Sequence, residues 1–493
     1  MKKNLLLSLL ILLLTLEAQA EKPNIVFIFA DDQTFESLGS LNNNEIHTPN
    51  LDRLQEMGVT FSHAFNQGSW CPAVCVSSRT MLNTGKFVWR AACYSKKAML
   101  KEDRNMPADM PDYTVKMEQP KGYWPEYMNA AGYDTYMAGK WHVSKKASEV
   151  FDVTGTVRGG MPNQTQSRYD RTMVEGDTDT WRPYDTSKNG YWKGGKHWSE
   201  VLGDEALGFI ETAAKEDAPF FIYLGFNAPH DPRQSPKKYV DMYPLDKISV
   251  PESFIPEYPY FTEATGGMKL RDERLAPYPR TPYSVKLNRQ EYYAIITHMD
   301  AQIGRILDAI EASGKADNTY IMFTADHGLA VGDHGFIGKQ NMYDRSMRVP
   351  FLISGPSVPQ NKVVDEMIYL QDAMSTALDI AGSPAIADVD YQSLLPLCDG
   401  KSKTKYEAMY GAYVGTQRMI RTERYKMIIY PMVNVVRLYD LKKDPEEMKD
   451  LASLKKYRKT LDQLFVQFKA LQKEVNDPLD VEVYFRNFLA TLD

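Results

Sequence analysis

The 493-residue chain has little cysteine, no excess of basic residues and no long apolar run beyond its first residues. Its four cysteines are too few for a disulfide-stabilised scaffold, although a Cys71–Cys93 pair stays open at this point. The formal net charge of -6 argues against a nucleic-acid-binding surface, so any anionic ligand must meet a local basic pocket. No internal repeat interrupts a composition of 43% hydrophobic and 25% charged residues, which is that of a globular protein.

The first twenty residues have the pattern of a secretory signal peptide. A basic head precedes an apolar run from Leu5 to Leu16, and Ala18-Gln19-Ala20 offers a cleavage site. The run is shorter than the roughly 20 residues that span a bilayer, and no cysteine follows the cleavage site. We therefore expect residues 1–20 to be removed, no stable membrane anchor, and a mature protein in the periplasm or outside the cell.

Three continuous apolar runs predict strands that are buried on both faces, and each run ends abruptly in polar residues. Helical patterns lie between them, which indicates an α/β fold with a mostly parallel sheet. Ligands of such sheets bind at the carboxyl ends of the strands, so these polar residues are expected to meet. The runs and their polar ends are Asn24–Ala30 with Asp31-Asp32, Phe220–Phe226 with His230, and Thr319–Thr324 with Asp326-His327.

The pattern changes twice along the rest of the chain. Residues 157–198 are rich in Gly, Asp, Trp and Tyr without a clear period, which indicates a surface insertion. Its aromatic residues (Trp181, Tyr191, Trp192 and Trp198) either stack on sugar rings or pack the insertion. Beyond residue 395 we predict an antiparallel sheet and a terminal helix over 454–475. The predicted domains are thus a catalytic α/β domain over 21–395 and an α+β subdomain over 396–493.

The acidic pairs at the strand ends are candidate metal ligands. Asp31, Asp32 and Asp326 with His327 offer three carboxylates and one imidazole. Such a set suits calcium or magnesium better than zinc, which draws more His and Cys. The alternative is that each Asp caps the following helix or loop. Because adjacent carboxylates repel each other, a cation between them is the natural way to keep both ionised.

Cys75 lies in the stretch Cys75-Val76-Ser77-Ser78-Arg79, which is followed by Thr84-Gly85. Three interpretations are open for this cysteine. It forms a disulfide in a turn, it is a thiolate nucleophile whose pKa is lowered by Arg79, or it is the precursor of formylglycine. The remaining motifs must decide between them.

The spacing Cys-x-x-x-Arg-x-x-x-x-Thr-Gly resembles the signature of the type I sulfatases. Further motifs occur in the order found in that family, over nearly the whole mature chain. The resemblance implies an alkaline-phosphatase-like fold, with a large mixed, mostly parallel sheet between helices, and a formylglycine together with calcium, or alternatively magnesium. The motifs are 24–32, Thr48-Pro49-Asn50-Leu51-Asp52, Gly139–His142, Pro229-His230, Thr324–Gly328, Arg348-Val349-Pro350 and Leu438–Leu441.

The resemblance also implies roles for individual residues. The metal ligands would be Asp31, Asp32, Asp326, His327 and the modified Cys75, braced by Arg79. Lys140 and Lys339 would bind the sulfate oxygens. His230 would protonate the leaving oxygen, alone or together with Lys339, and His142 would contact the aldehyde hydrate as a base. One hydroxyl of that hydrate would attack sulfur, and loss of the proton from the other would expel sulfate. Arg233, which follows His230 closely, is a candidate contact to substrate hydroxyls or a carboxylate.

These features predict an exported, metal-dependent sulfuric ester hydrolase that acts on a sulfated carbohydrate. Choline or aryl sulfates, and phosphate esters on the same fold, are alternative substrates. A glycan-binding protein with an unconverted Cys75 is the non-catalytic alternative. Ser77 stands where many relatives carry Pro, which leaves open which formylglycine-generating maturation enzyme acts on this chain.

Overall fold

The structure is a computed structural model that describes residues 21–41, 43–95, 118–160, 162 and 166–492. The predicted signal peptide lies outside these residues. The strands of the described part are β1 (Asn24–Asp31), β2 (Gly58–Phe65), β3 (Gly68–Ser69), β4 (Asp134–Lys140), β5 (Val153–Arg158), β6 (Trp192–Lys193), β7 (Lys196–His197), β8 (Phe220–Pro229), β9 (Thr319–Ala325), β10 (Arg348–Val349), β11 (Phe351–Ser354), β12 (Lys362–Tyr369), β13 (Met409–Tyr413), β14 (Gln417–Arg421), β15 (Tyr425–Tyr430) and β16 (Val435–Asp440).

Helices connect most of these strands. They are α1 (Pro49–Glu56), α2 (Val74–Thr84), α3 (Val88–Ala92), α4 (Trp124–Ala130), α5 (Trp198–Ala213), α6 (Lys237–Val240), α7 (Phe261–Thr265), α8 (Pro282–Ala312), α9 (Asp344–Met347), α10 (Asp372–Ile380), α11 (Arg458–Glu474) and α12 (Glu482–Ala490). No helix among the described residues combines the length and the apolar character that a membrane crossing requires.

The large sheet has the strand order β10-β2-β11-β9-β1-β8-β4-β5, with β12 also paired to β2. From β9 to β5 the neighbouring strands are parallel. On the other side β11 runs antiparallel to both β9 and β2. The predicted mixed, mostly parallel sheet is confirmed, and its parallel part contains all three strands that the apolar runs indicated.

The centre of this sheet is buried on both faces. Every residue of β1, β8 and β9 is buried, which is why their sequences show continuous apolar runs. Phe27 and Phe29 point to one face, where Trp124 of α4 packs 4.9 Å from the Phe27 ring. Helices α5 and α8 pack against β8 and against each other. The core therefore fixes the positions at which the parallel strands end.

Helix α8 is much longer than the predicted Asp300–Ser313 segment. It begins at Pro282, where the Thr281 hydroxyl accepts a hydrogen bond of 3.1 Å from the Ser284 amide. Its first half buries polar residues such as Asn288 and Glu291 together with the apolar ones. Because polar side chains occupy buried positions there, the sequence shows no clean apolar stripe, and the periodicity is lost.

The C-terminal part forms a second sheet with the order β16-β15-β14-β13-β3. Strands β13 to β16 are antiparallel, as predicted, whereas β3 comes from the first seventy residues and pairs parallel to β13. Helix α11 lies within the predicted 454–475 segment, and α12 was not predicted. The boundary near residue 395 stays a prediction, since segments from both sides of it share this sheet.

Candidate active site

The carboxyl ends of four neighbouring parallel strands bring the predicted site residues together. Strand β1 ends at Asp31, β4 ends at Lys140, and β8 and β9 are followed directly by His230 and Asp326. Lys140 is the last residue of β4, two residues before His142. These ends meet because β9, β1, β8 and β4 are adjacent and parallel.

Helix α2 carries Cys75 and Arg79 to this edge of the sheet. The two residues are one helical turn apart and so share a face, and all eleven residues of the helix are buried. The helix ends at Gly85, whose left-handed φ of 66° allows the turn that closes it. The Cys75 Sγ atom lies 3.2 Å from Asp31 Oδ1 and 3.0 Å from Lys339 Nζ.

Three buried cations pair with the three buried carboxylates. Lys140 donates to Asp31, and Lys339 Nζ lies 2.5 and 2.6 Å from the two Asp32 oxygens. Arg79 is fully buried, and its Nε donates to Asp326 at 2.9 Å. Arg79 also donates from Nη1 to the Lys140 carbonyl at 2.9 Å. It therefore connects helix α2 to the ends of β9 and β4. Pairing of this kind is what allows charges to be buried.

The pKa values of the carboxyl groups in this cluster are shifted in opposite directions. Burial, together with the nearby Asp326 charge, raises the pKa of Asp31 to about 6. Burial also acts to raise the pKa of Asp326, but Arg79, Lys140 and Lys339 outweigh it and hold that pKa well below its usual range. A carboxyl that resists ionisation in this way would be stabilised in its charged form by a further cation.

The ligand atoms available for a cation are close together. One oxygen each of Asp31 and Asp32, Cys75 Sγ and one His230 ring nitrogen all lie within 4.8 Å of one another. This group includes His230 in addition to three of the predicted metal ligands. The two carboxylates of this group are ligands of the kind that hard divalent ions prefer.

The two other predicted ligands lie beside this group. Asp326 Oδ1 accepts a hydrogen bond of 3.1 Å from the Asp32 amide. His327 Nδ1 lies 3.0 Å from the Gly328 carbonyl, and burial lowers its pKa to about 4. His327 is therefore neutral near pH 7, which is the form that can coordinate a metal.

His230 is held by Asp231, a residue that the sequence reading missed. The His230 Nδ1 atom lies 2.8 Å from Asp231 Oδ1, and Tyr169 donates to the same carboxylate. Burial acts to lower the pKa of His230, but the Asp231 carboxylate outweighs it and the pKa is raised. The ring thus presents Nε2, 3.5 Å from Asp32 Oδ2, to the cluster. The sequence feature that could have indicated this role is the acidic residue directly after the histidine.

Two of the three interpretations of Cys75 disagree with the structure. All four cysteines lie in the described residues and are thiols, so Cys71 and Cys93 form no disulfide. Burial, with the charges of Asp31 and Asp326, raises the pKa of the Cys75 thiol well above its usual value. The expected lowering of this pKa is not found, because burial and the two carboxylates outweigh the effect of the nearby cations. A thiolate nucleophile is therefore disfavoured.

The remaining predicted residues contact other parts of the protein. His142 lies in the turn after β4 with φ 57°, and its ring packs against Gly160, where a Cβ would lie 2.7 Å away. Arg233 is fully buried and donates to the Asn288 side chain at 2.9 Å, which places it in the protein interior. Trp181, Tyr191 and Trp192 are also buried, so they pack the insertion and offer no sugar platform.

The structure adds residues beside His230 that the sequence did not indicate. Arg271 Nη2 lies 3.4 Å from His230 Nε2 and donates to Asp272 at 2.7 Å. Gln340, next to Lys339, donates to the same Asp272 carboxylate at 2.8 Å. These residues fall in segments without helical or strand periodicity, so no sequence signal marked them.

Comparison with protein families and curated proteins gives a consistent result. The sulfatase family model matches residues 23–383, and the model of the C-terminal region of N-sulphoglucosamine sulphohydrolase matches residues 332–474. A sulfatase of Formosa agariphila is 27% identical, with 94% of this chain and 89% of the relative covered. An N-acetylglucosamine-6-O-sulfatase of Bacteroides thetaiotaomicron is 25% identical with the same coverage.

Solved structures show the same fold. A structure in complex with its substrate D-glucosamine-2-N,6-O-disulfate superposes with a TM-score of 0.69 at 22% identity, covering 93% of this chain and 99% of that one. A phosphonate monoester hydrolase of Agrobacterium radiobacter superposes with a TM-score of 0.65 at 21% identity, covering 92% and 96%. The fold alone thus serves more than one ester chemistry.

The sulfatase family model covers most of the chain, including the four parallel strands whose ends form the site. This agreement confirms the resemblance that the sequence indicated. The chain belongs to the sulfatase family and is an enzyme that hydrolyses sulfate esters.

Proposed function

We propose that the protein removes sulfate from a sulfated saccharide, using a formylglycine formed from Cys75 and a divalent cation, calcium or alternatively magnesium. The observation that carries the proposal is the convergence of Cys75 with Asp31, Asp32, Lys140 and Lys339 at one buried point. Positive side chains and a cation site beside one nucleophile position suit an ester whose oxygens carry negative charge.

The saccharide part of the proposal is supported by the relatives. They include an N-acetylglucosamine-6-O-sulfatase and an ulvan-active sulfatase of Formosa agariphila. A solved structure of the same fold holds a glucosamine disulfate as its substrate. The predicted signal peptide is consistent with a polysaccharide substrate outside the cytoplasm, and we propose a periplasmic or secreted location.

The side chains at the site divide into ligands of the cation and groups that bind the sulfate ester. Asp31, Asp32, Asp326, His327 and residue 75 would hold the cation, which would withdraw charge from the sulfate oxygens, while the hydrated formylglycine would provide the nucleophilic hydroxyl. Lys140 and Lys339 would bind the sulfate oxygens. Arg79 would keep residue 75 in position, because it anchors α2 to Asp326 and to the end of β4.

The proton-transfer groups follow from their positions. We assign His230 Nε2 to protonation of the departing oxygen, since its other nitrogen is fixed by Asp231 and Nε2 faces the cluster. His142 would accept the proton of the second hydroxyl of the hydrate in the later step, in which sulfate is expelled. Its place two residues after Lys140, the last residue of β4, supports that role.

Release of free sulfate tests the proposed function. Protein from the native host, in which the tryptic peptide of residue 75 is shown by mass spectrometry to carry the aldehyde, is incubated with sulfated mono- and oligosaccharides, choline sulfate, an aryl sulfate and phosphate monoesters. We expect sulfate from at least one saccharide at a higher kcat/KM than from the other esters. Faster phosphate release would favour the phosphatase alternative, and an intact thiol that binds glycans without turnover would favour the binding protein.

Calcium is expected to stabilise the folded enzyme through the Asp32 carboxylate. At a concentration of about 100 times Kd, binding to the folded state alone adds about 2.7 kcal/mol to the free energy of unfolding. Thermal unfolding with calcium, magnesium or EDTA measures the shift. We expect Asp32→Asn to lose the calcium-dependent rise in Tm, whereas the matched surface variant Asp308→Asn keeps it, because Asp308 is 69% exposed and pairs with Arg53. An equal rise in both variants would contradict the assigned site.

A further inference from the structure

Arg271 differs from the other charged side chains at the site in its exposure. Lys140, Lys339, Arg79 and the three cluster carboxylates are at most 2% exposed. The side chain of Arg271 is 40% exposed, although its Nη2 reaches to 3.4 Å from His230 Nε2. It therefore lies between solvent and the histidine that we assign to the leaving oxygen, which is where the sugar of a bound substrate must lie.

The Arg271 guanidinium has one nitrogen, Nη1, that is available to donate to a ligand. Nη2 donates to Asp272 and points to His230, and Nε lies 3.5 Å from Asp231 Oδ2. Nη1 has no hydrogen-bond partner among the described residues, while the side chain reaches solvent. Because an arginine carries five N–H donors in a fixed plane, holding Nη2 against Asp272 also restricts the direction of Nη1.

The carboxylates around Arg271 are themselves held in place. Asp272 accepts from Arg271 with one oxygen and from Gln340 Nε2 with the other at 2.8 Å. Gln340 is anchored in turn, because Gln417 of β14 donates to its carbonyl at 2.9 Å. Asp231 is occupied by His230 and Tyr169. Neither carboxylate is free to swing away when a ligand arrives.

Charge decides what Nη1 can bind. Two carboxylates, at 2.7 and 3.5 Å from the guanidinium, are shared between Arg271 and the His230 ring, so the guanidinium has no unpaired positive charge to offer a further anion. A sulfate or carboxylate of the substrate at this point would be repelled by Asp231 and Asp272. An uncharged hydroxyl or ether oxygen accepts a hydrogen bond from Nη1 without that repulsion. The pocket beyond His230 is thus suited to a neutral oxygen.

We propose that Arg271 determines specificity by donating Nη1–H to an uncharged oxygen of the sugar, next to the sulfate ester that is cleaved. The enzyme then selects a leaving sugar with a free hydroxyl at that position and disfavours one that carries a second anionic group there. This inference rests on the proposed function, since it assumes that a saccharide occupies the site.

Three related substrates test the inference. They are the sulfated monosaccharide to which the enzyme responds, its analogue without the hydroxyl nearest the ester, and its analogue with that hydroxyl sulfated. For the wild type we expect kcat/KM to fall by about 10- to 100-fold on removal of the hydroxyl, the effect of one hydrogen bond to a charged group. The disulfated analogue is expected to be a poorer substrate than the first.

The variants Arg271→Ala and Arg271→Lys separate recognition from folding. We expect Arg271→Ala to have a lower kcat/KM on the first sugar than the wild type, and the same kcat/KM on the first two sugars. For Arg271→Lys we expect an intermediate difference between these two sugars. Arg274→Ala is the matched control, because Arg274 is 38% exposed in the same segment and pairs with Asp170. It should keep the full preference for the hydroxyl. Tm values of all variants show whether they fold.

The outcomes distinguish the inference from the function on which it rests. Equal rates of the wild type on the first two sugars, or a preference for the disulfated sugar that Arg271→Ala abolishes, overturn the inference and leave the sulfatase function intact. Release of sulfate from none of the sulfated saccharides screened for the proposed function, by protein with a confirmed aldehyde at residue 75, overturns that function and the inference together.

Discussion

Replacing Cys75 by alanine is expected to lower kcat/KM for sulfate release by on the order of 10⁴-fold or more. The residue lies in the buried cluster, 3.2 Å from Asp31 and 3.0 Å from Lys339, at the position where we propose the nucleophile. Removal of the nucleophile cannot be compensated by the lysines, which only bind and neutralise the ester. The measurement is free sulfate from a responsive saccharide, with Tm as the test of folding.

A matched control for this variant is Cys398→Ala. Cys398 is also a buried thiol, but it packs in the main core against Leu394, away from the strand ends. We expect this variant to lose some stability and to retain kcat/KM within a few fold. Undiminished turnover by Cys75→Ala would show that residue 75 is not the nucleophile, and it would remove the reason for proposing formylglycine.

Lys140→Ala is expected to produce the second largest loss, about 10²- to 10³-fold in kcat, the usual effect of removing one charged group that stabilises a transition state. Lys140 is fully buried and pairs with Asp31, whose pKa is already raised by burial. Truncation would leave that carboxylate without its cation and the sulfate oxygens without one of two ammonium groups. A loss confined to KM would contradict the role, because it would indicate ground-state binding alone.

Lys145→Ala controls for the effect of removing a lysine from the same region. Lys145 follows five residues later, is 33% exposed and pairs with Glu126. Loss of such a partly exposed pair costs little free energy of unfolding. We expect its kinetic constants to match those of the wild type, so a common loss in both variants would point to a general effect on the fold.

The competing functions differ in the chemistry that residue 75 requires. A phosphate esterase on this fold would be expected to use a Ser or Thr nucleophile with His-rich zinc ligation, whereas this chain offers Cys75 among carboxylates. A binding protein would keep the thiol intact. The raised pKa of that thiol makes an unmodified cysteine a poor nucleophile. The state of residue 75 in the native host therefore separates these functions before any kinetics are measured.

The residues at the strand ends could be predicted because burial leaves a mark in the sequence. Strands buried on both faces read as apolar runs, and the first polar residues after such a run stand at the edge of the sheet. Asp31, Asp326 and His230 were found in this way. Arg233 was not placed correctly, since closeness to His230 in sequence did not reveal that its guanidinium turns inward to Asn288.

Arg271 and Asp272 do not follow an apolar run, so the sequence did not indicate their place at the site. Arg271 reaches His230 across 41 residues, and Gln340 reaches Asp272 across 68. Their segments are short turns of 3-10 helix and loop, without a period that predicts burial or direction. The first half of α8 was missed for a related reason, because its buried polar residues interrupt the apolar stripe.

The sequence by itself determined the family, the α/β class and the strand ends that carry the acidic residues, and it singled out Cys75 as the candidate nucleophile. Only the tertiary structure decided which cation faces which carboxylate and which donor remains for the substrate. Lys140 and Asp31 are 109 residues apart, and Lys339 and Asp32 are 307 apart. Local patterns report how each segment is buried, whereas these pairings depend on the order in which separate strands assemble into one sheet.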